Sequence, residues 1–571
     1  MVITALLFYY LLTISDLPSV FSGKGIAFID PHEEYFRKEF HGTTLDEKTS
    51  AYLWHLERHR NKIAQLEHQF EPFKQDLFGV DETTFLRGDF NGTFFRFPLR
   101  TPRMSSRISA TNYDMGKVEE LIKSLEVDAH VILLFLKSLQ RIEVYRKDDG
   151  KVTQLLDVRI SISCLEEVRQ QRKLFWTKIG HQLNWMQCEP LSTVYPVSVE
   201  VTRHHQDASK TDTRQWITSH YYAGSEDVSS RFRFNNIIGY LPSVGAAIPF
   251  DPGSDEGPPL WATKPSGQVF CFLPMPLENR SPTGLRVHVH AYFAIDQNRR
   301  NIKWPSAAEQ DRSTDDSIAW NKFLVEMVLP KAMSNMITFL IHLFHSEQSV
   351  VNAQEDGEMQ LLIKYGEDVA QSVYAVLPEI QTVTDNWKSV VKVFKKRVKT
   401  LKMFYSPVER GRWMLAADTI FENVETVDTT RRVILAFLRR NNRDIACVPN
   451  YILKLLPKKK KLVEAGMVCA ALKNVQSGMT LSNGDRESLL NYIVNTFVNE
   501  GNLKRFADKL VGLQLLPLAN GSWTTIESRR SDIRVYVVSS LFSRNLLPGL
   551  DRMLLNEDVA SLACGELLRS S

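Results

Sequence analysis

Gly92-Thr93-Phe94-Phe95-Arg96-Phe97-Pro98-Leu99-Arg100 joins a backbone-permissive glycine, a hydroxyl and two arginines in one aromatic run. Read as a β-strand, the run has two unlike faces. The side-chain period of two puts Thr93, Phe95, Phe97 and Leu99 on one side and Phe94, Arg96, Pro98 and Arg100 on the other. The first side is expected to be buried core, and the second to carry fixed positive charge. At a rise of roughly 3.3 Å per residue the two arginines start about 13 Å apart, too far to clamp one phosphate together. From the strand alone both read as ordinary surface or ion-pair residues.

Upstream of this run, the spacing of Leu53, Leu56, Ile63 and Leu66 among charges predicts a helix over residues 45–70, stopped by Pro72. Gly25 to Ile29 has the makeup of a short buried strand, with a turn at Asp30-Pro31. Residues 1–13 are almost wholly apolar, and Val20-Phe21-Ser22 before Gly23 fits a signal-peptidase site. Against a signal peptide, no Lys or Arg precedes Lys24, and the apolar run is shorter than the roughly 20 residues of a membrane span.

Downstream, the pattern predicts a helix around Tyr113 to Leu125 and an apolar strand from Val131 to Leu136. Two strands, Ile142 to Arg146 and Val152 to Ile160, flank the hairpin turn Asp148-Asp149-Gly150. Leu165 to Ile179 reads as a helix, and Val194 to Val201 and Trp216 to Tyr222 read as strands. His204-His205 is a poor chelate because adjacent side chains on extended backbone point apart. His288 and His290 share a strand face, as some zinc sites require, but no third ligand has suitable spacing, and a polar face on a half-buried sheet is the expectation. From Ser313 onward the period becomes helical: Ser313 with Asp316 suggests a capping box, and the first helix is expected to run to Pro330. Further helices are expected through Phe344, Val390 to Met403, Met414 to Val424 and Val433 to Leu438. Leu510 to Trp523 reads as a strand, a tight Asn520-Gly521 turn and a second strand.

The chain has 571 residues, 43% of them hydrophobic and 24% charged, which excludes wholesale disorder and allows several domains. A net charge of +4 from 70 basic and 66 acidic residues predicts no nucleic-acid surface. The lysine run Lys458 to Lys461 reads as a solvated helix end. Six cysteines at 164, 188, 271, 447, 469 and 564 contain no CxxC pair, which points away from zinc fingers and disulfide scaffolds.

Several motifs together resemble the sacsin family. Leu17 to Gly23, Phe28-Ile29-Asp30-Pro31-His32, Gln69-Phe70-Glu71-Pro72-Phe73 and Gly92 to Arg100 follow in the order of its repeating region. So do Phe270 to Pro274, Gly284 to Trp304 and Leu515 to Leu518. The resemblance implies a front end like that of the GHKL ATPases, the class of the ninety-kilodalton heat-shock chaperone, and a role in protein quality control. Gly92 and Thr93 would match the strand beside the bound adenine, with Arg96 and Arg100 on the same strand. Residues 296–301 resemble a loop from which Arg299 or Arg300 would reach the terminal phosphate, where a guanidinium neutralises charge. The family pattern has a Pro, an Asn and a Gly where this chain has Arg286, His290 and Ala291.

GHKL catalysis also needs an early helix with an acidic base and a magnesium-binding Asn, then an Asp-x-Gly element. Residues 1–13 contain no Asp, Glu or Asn. The resemblance therefore implies an N-terminally truncated module, an α+β remnant of the GHKL sandwich with a mixed middle region and a mainly helical C-terminal part. The expected divisions are residues 1–23, 24–160, 161–305, 306–510 and 511–571. The cofactor-binding set is Gly92, Thr93, Arg96, Arg100, Arg299 and Arg300, with no catalytic or metal residues. ATP and magnesium belong to the complete module, and no cofactor is expected for this chain alone. Expected partners are protein clients or heat-shock chaperones, with no nucleic acid and no membrane, in the cytoplasm. The alternatives are a fragment of a complete ATPase and a secreted or membrane-tethered binding protein that uses residues 1–22 as a signal.

Overall fold

The computed structural model describes residues 14–40, 43–65, 90–102, 106–181, 188–204, 208–228, 240–250, 260–275, 283–296, 301–305, 316–350, 356–474, 481–499, 508–527, 535 and 554–555. They fall into two compact units, divided between Ala129 and His130. The architecture is mixed α/β with several separate sheets.

In the first unit, β1 (Ser19–Gly23) and β2 (Gly25–Ile29) form a hairpin, and β3 (Arg37–Phe40) pairs with β4 (Thr43–Lys48) in a separate one. With β5 (Ala51–His55) and β6 (Phe90–Arg96), the first hairpin makes an antiparallel sheet of order β5-β2-β1-β6. Its core is aromatic: Phe21, Phe28, Trp54 and Phe94 are buried with Ile26, Leu56 and Ile63. Phe21 packs on Phe94 and Phe90 at ring separations of 4.9 and 5.1 Å.

Two expectations fail here. The helix over 45–70 is replaced by most of β4, all of β5 and one short helix, α1 (Arg60–Gln65); residues 66–70 lie outside the described set. Tyr52 and Trp54 alternate, and pairing with β2 from Gly25↔His55 to Ile29↔Ala51 overrides the local helical spacing. Leu53, assigned to the helical stripe, is 70% exposed. The faces of the 92–100 run are also reversed. Phe94 is buried because it sits opposite Phe21, whereas Phe95 sits opposite Val20 and is 38% exposed. Phe97 and Leu99 are half-buried, and the strand ends at Arg96, before Pro98, which has no N–H for a ladder. The unit closes on α2 (Met115–Asp128), capped by the Asp114 carboxylate accepting from the Lys117 N–H at 3.0 Å.

The second unit begins with Val131 to Leu136, which is buried turn and not strand. The carbonyls of Leu133 and Leu134 are taken by the Arg172 guanidinium, so no neighbouring strand is needed. β7 (Arg141–Asp148) and β8 (Lys151–Ile160) meet at Asp149 and Gly150, with φ of 47° and 80°, the left-handed pair that a two-residue hairpin needs. After α3 (Ile162–His181), the long strands β9 (Leu191–His204) and β10 (Ser209–Tyr222) pair along their whole length. β11 (Ser243–Pro249), β12 (Val269–Cys271), β13 (Leu273–Pro274) and β14 (His288–Ala291) complete an eight-stranded sheet of order β13-β12-β14-β11-β10-β9-β8-β7, antiparallel except for β12 on β14. Alternate residues of β10 serve opposite faces. His220 meets Phe175 of α3, and Ser219 donates to the Ala332 carbonyl on the other side.

That other side is covered by α4 (Asp316–Phe323), a π-helical turn (Leu324–Val328) and α5 (Leu329–Val350) in one continuous run. Pro330 does not stop the helix. It stands in the first turn of α5, where its missing N–H coincides with the π-turn irregularity. The run Asp316–Ser346 is long and apolar enough to cross a membrane by length and composition, and 61% of its most apolar window is buried. α6 (Asp356–Val376) and α7 (Lys388–Arg397) follow, then β15 (Phe404–Ser406) with β16 (Arg412–Met414). Met414 to Val424 contains β17 (Ile420–Asn423), not a helix. It pairs in parallel with β18 (Ile445–Val448) across α8 (Thr429–Arg440), and the buried strand pairing prevails over helical spacing. The last hairpin, Leu516–Pro517 with Trp523–Thr524, forms as expected, with Gly521 at φ 81°.

Candidate functional site

Four of the six predicted site residues lie on or just beyond β6. Gly92 and Thr93 lie exposed on β6, where the Thr93 hydroxyl shares a 2.6 Å hydrogen bond with Ser22 of β1. Arg96 is half-buried, and burial lowers its guanidinium pKa from the ordinary value. Arg299 and Arg300 lie outside the described residues.

Arg100 is the largest departure from a ligand-facing arginine. It is wholly buried. Its Nε and Nη2 donate to Asp16 Oδ1 at 2.9 and 2.5 Å, and Nη1 donates to the Thr111 carbonyl at 3.1 Å. The backbone is held as well: Arg100 N–H bonds to the Ile14 carbonyl, and Tyr113 N–H bonds to the Arg100 carbonyl. Ser106 Oγ adds a 2.9 Å bond to the same carboxylate oxygen, and His32 Nε2 lies 3.9 Å from it. Burial alone would raise the Asp16 carboxyl, but the bonds from Arg100 and Ser106 outweigh it and hold the group below its ordinary value. Chain segments around residues 14–16, 100, 106 and 111–113 are thus tied through one guanidinium. The pair is a structural knot, and Arg100 has no free donor edge for a phosphate. Among the described residues no group of three or more His, Cys, Asp or Glu could hold a metal ion.

Sequence reasoning missed Asp16 because it stands beside an apolar leader, 84 residues from its partner. The only signal was a lone acid immediately before the Leu17 motif.

The second unit holds a different polar cluster. His288 and His290 are not on a solvated face; both are buried, at 6% and 2% exposure. Rings cover them: Trp216 lies 5.2 Å from His288, and Phe272 and Phe135 lie 5.0 and 5.4 Å from His290. Each Nδ1 accepts a backbone N–H, from Gln268 and Phe272 respectively. Burial pushes both imidazoles down to about 4. His220 falls to about 3, through burial and then through His290 and Arg172 nearby. These three rings are neutral at physiological pH.

Beside them, Arg172 of α3 is 5% exposed. Its Nη2 donates to the carbonyls of Leu133 and Leu134 at 2.9 and 3.1 Å, and its Nε to the Tyr195 hydroxyl at 3.2 Å. That hydroxyl is in turn 3.2 Å from His220 Nε2. Arg286, one of the departures from the family pattern, pairs with Glu379 at 3.0 Å and covers the Tyr451 ring.

A cleft of about 440 Å³ in the same unit is lined by Tyr374, Tyr405, Glu367, Arg439 and Cys447 among others. Burial pushes the Cys447 thiol up to about 11, so it is no nucleophile at neutral pH.

Comparison with known proteins places the chain. Residues 7–158 match a family model described as the Sacsin domain. Human sacsin is 30% identical over 560 residues, an alignment that takes in 94% of this chain and 11% of that protein. The likeness thus extends through both units, well past the Sacsin-domain match. This chain is a sacsin-like protein.

Proposed function

We propose that this chain acts in chaperone-type protein quality control and does not turn over ATP unaided. The observation that carries the chaperone reading is the ordered series of seven family motifs from Leu17 to Leu518. On this reading the described sheet of the first unit is the remainder of a GHKL-type module, residues 161–305 are a β-rich middle region, and residues 306–510 are a mainly helical scaffold. Gly92 and Thr93 would lie beside the adenine with Arg96 on the same strand, and Arg299 and Arg300 would belong to the phosphate-reaching loop. Arg100 is reserved for Asp16. The partners of the chain are protein clients or heat-shock chaperones in the cytoplasm.

Two assays on the purified chain test this. Magnesium-dependent ATP hydrolysis is expected to be absent, and aggregation of a heat-unfolded test protein is expected to be suppressed. Robust hydrolysis overturns the first statement, and unchanged aggregation overturns the second.

A further inference from the structure

One face of α3 carries Arg169, Arg172, Lys173, Trp176 and Thr177, spaced so that successive turns stack them together. With Lys137, Ser138 and Gln140 from the segment before β7, they line a cleft of about 330 Å³, near the low end of small-ligand sites. Four of these eight lining residues are cations and none is a carboxylate. Glu166, one turn earlier on α3, pairs with Arg169 at 3.1 Å and offsets one charge. Gln140 also accepts from Arg169, at 3.0 Å, and so fixes its position.

Arg172 is the unusual member. A buried guanidinium ordinarily has a carboxylate, because an uncompensated buried charge is costly. Arg172 has two carbonyls and a tyrosine hydroxyl, and its Nη1 is shielded from water with no hydrogen-bond partner. His220, reached through the Tyr195 hydroxyl, and His290 beside it are neutral and supply no negative charge. Lys137 stands over the Trp176 ring, 4.9 Å from its centre, so the cleft also has an aromatic wall beside a positioned ammonium.

We propose that this cleft binds a small phosphomonoester. Its phosphoryl dianion would be met by Lys137, Arg169 and Lys173 with the Arg172 charge behind them, and its organic part would rest on Trp176. A guanidinium and ammonium cluster suits a compact dianion, and the cleft has room for little more than one phosphoryl group and one ring.

Isothermal titration of the full chain with inorganic phosphate and with phenyl phosphate tests the assignment. Both are expected to bind saturably, phenyl phosphate more tightly, and phenol not at all. Lys137→Gln with Lys173→Gln, both exposed positions, is expected to weaken binding by about tenfold or more while leaving the urea midpoint unchanged. Arg172→Met is expected to abolish binding; should that variant fail to fold, the lysine pair decides. Absence of saturable binding to either probe, or unchanged affinity in the double lysine variant, overturns the proposal. Binding of a phosphorylated peptide where both small probes fail overturns it in favour of a protein ligand.

Discussion

Both units bury an arginine, and the two are satisfied in opposite ways. Arg100 meets a carboxylate, a second hydroxyl donor to that carboxylate and a backbone carbonyl, so its charge is neutralised within the fold. Arg172 meets only neutral acceptors, two carbonyls and a phenol, near the neutral imidazoles of His220 and His290. The first arrangement is closed, so an arginine that family resemblance places beside a nucleotide is a tie between distant chain segments. The second is open in charge, and it borders a cleft whose other walls are cationic. Burial alone does not distinguish structure from binding; the chemistry of the acceptor does.

The largest effect should come from breaking the closed knot. Asp16→Ala leaves Arg100 buried and unpaired, and should cost the first unit about 3–5 kcal/mol in urea unfolding. The double variant with Arg100→Met should recover part of that loss; equal loss in both would mean that the pair's charge is not what matters.

Next, Phe94→Ala should destabilise by about 3 kcal/mol or slightly more, whereas Phe95→Ala should cost less than about 1 kcal/mol. Reversed values would restore the face order expected from the strand period.

Acid separates the units as well. His220, His288 and His290 have folded pKa values of about 3, 4 and 4, below their ordinary 6.5. The unfolded chain therefore binds more protons as pH falls below 6.5, and the second unit loses stability progressively from there down to about 4. Asp16 is depressed below 3.8, so its contribution is present above that pH and is lost only as pH falls through the lower folded value. Urea-dependent hydrogen exchange at about pH 7 and about pH 5 should show the second unit weakening while peptides around Asp16 and Arg100 hold.

Tyr195→Phe removes the hydroxyl between Arg172 and His220 and should cost about 1–2 kcal/mol. A loss as large as that of Asp16→Ala would show that the second arginine is as tightly tied as the first.

Elements with strong local signals were legible from the sequence: β2 at Gly25 to Ile29, the Asp149-Gly150 and Asn520-Gly521 hairpins, and the long helix ending at His181. Each depends on turn chemistry or on apolar periodicity within a few residues. Residues 45–55 and Met414 to Val424 misled because their apolar spacing suits a helix, while the backbone pairing that decides them lies in other strands. Val131 to Leu136 looked like a strand because it is apolar, and became a turn because Arg172, more than thirty residues later, takes its carbonyls.

The likeness to sacsin was legible, since it resides in linear motifs. The partner of Arg100 was not readable. Ion pairing requires two side chains within about 4 Å, and spacing along the chain carries no such information across 84 residues. The sequence by itself thus determined the family, the hairpins and the positions of the arginines. Only the tertiary structure decided which arginine is neutralised inside the fold and which keeps its charge beside a cleft, because that depends on where distant carboxylates and carbonyls come to lie.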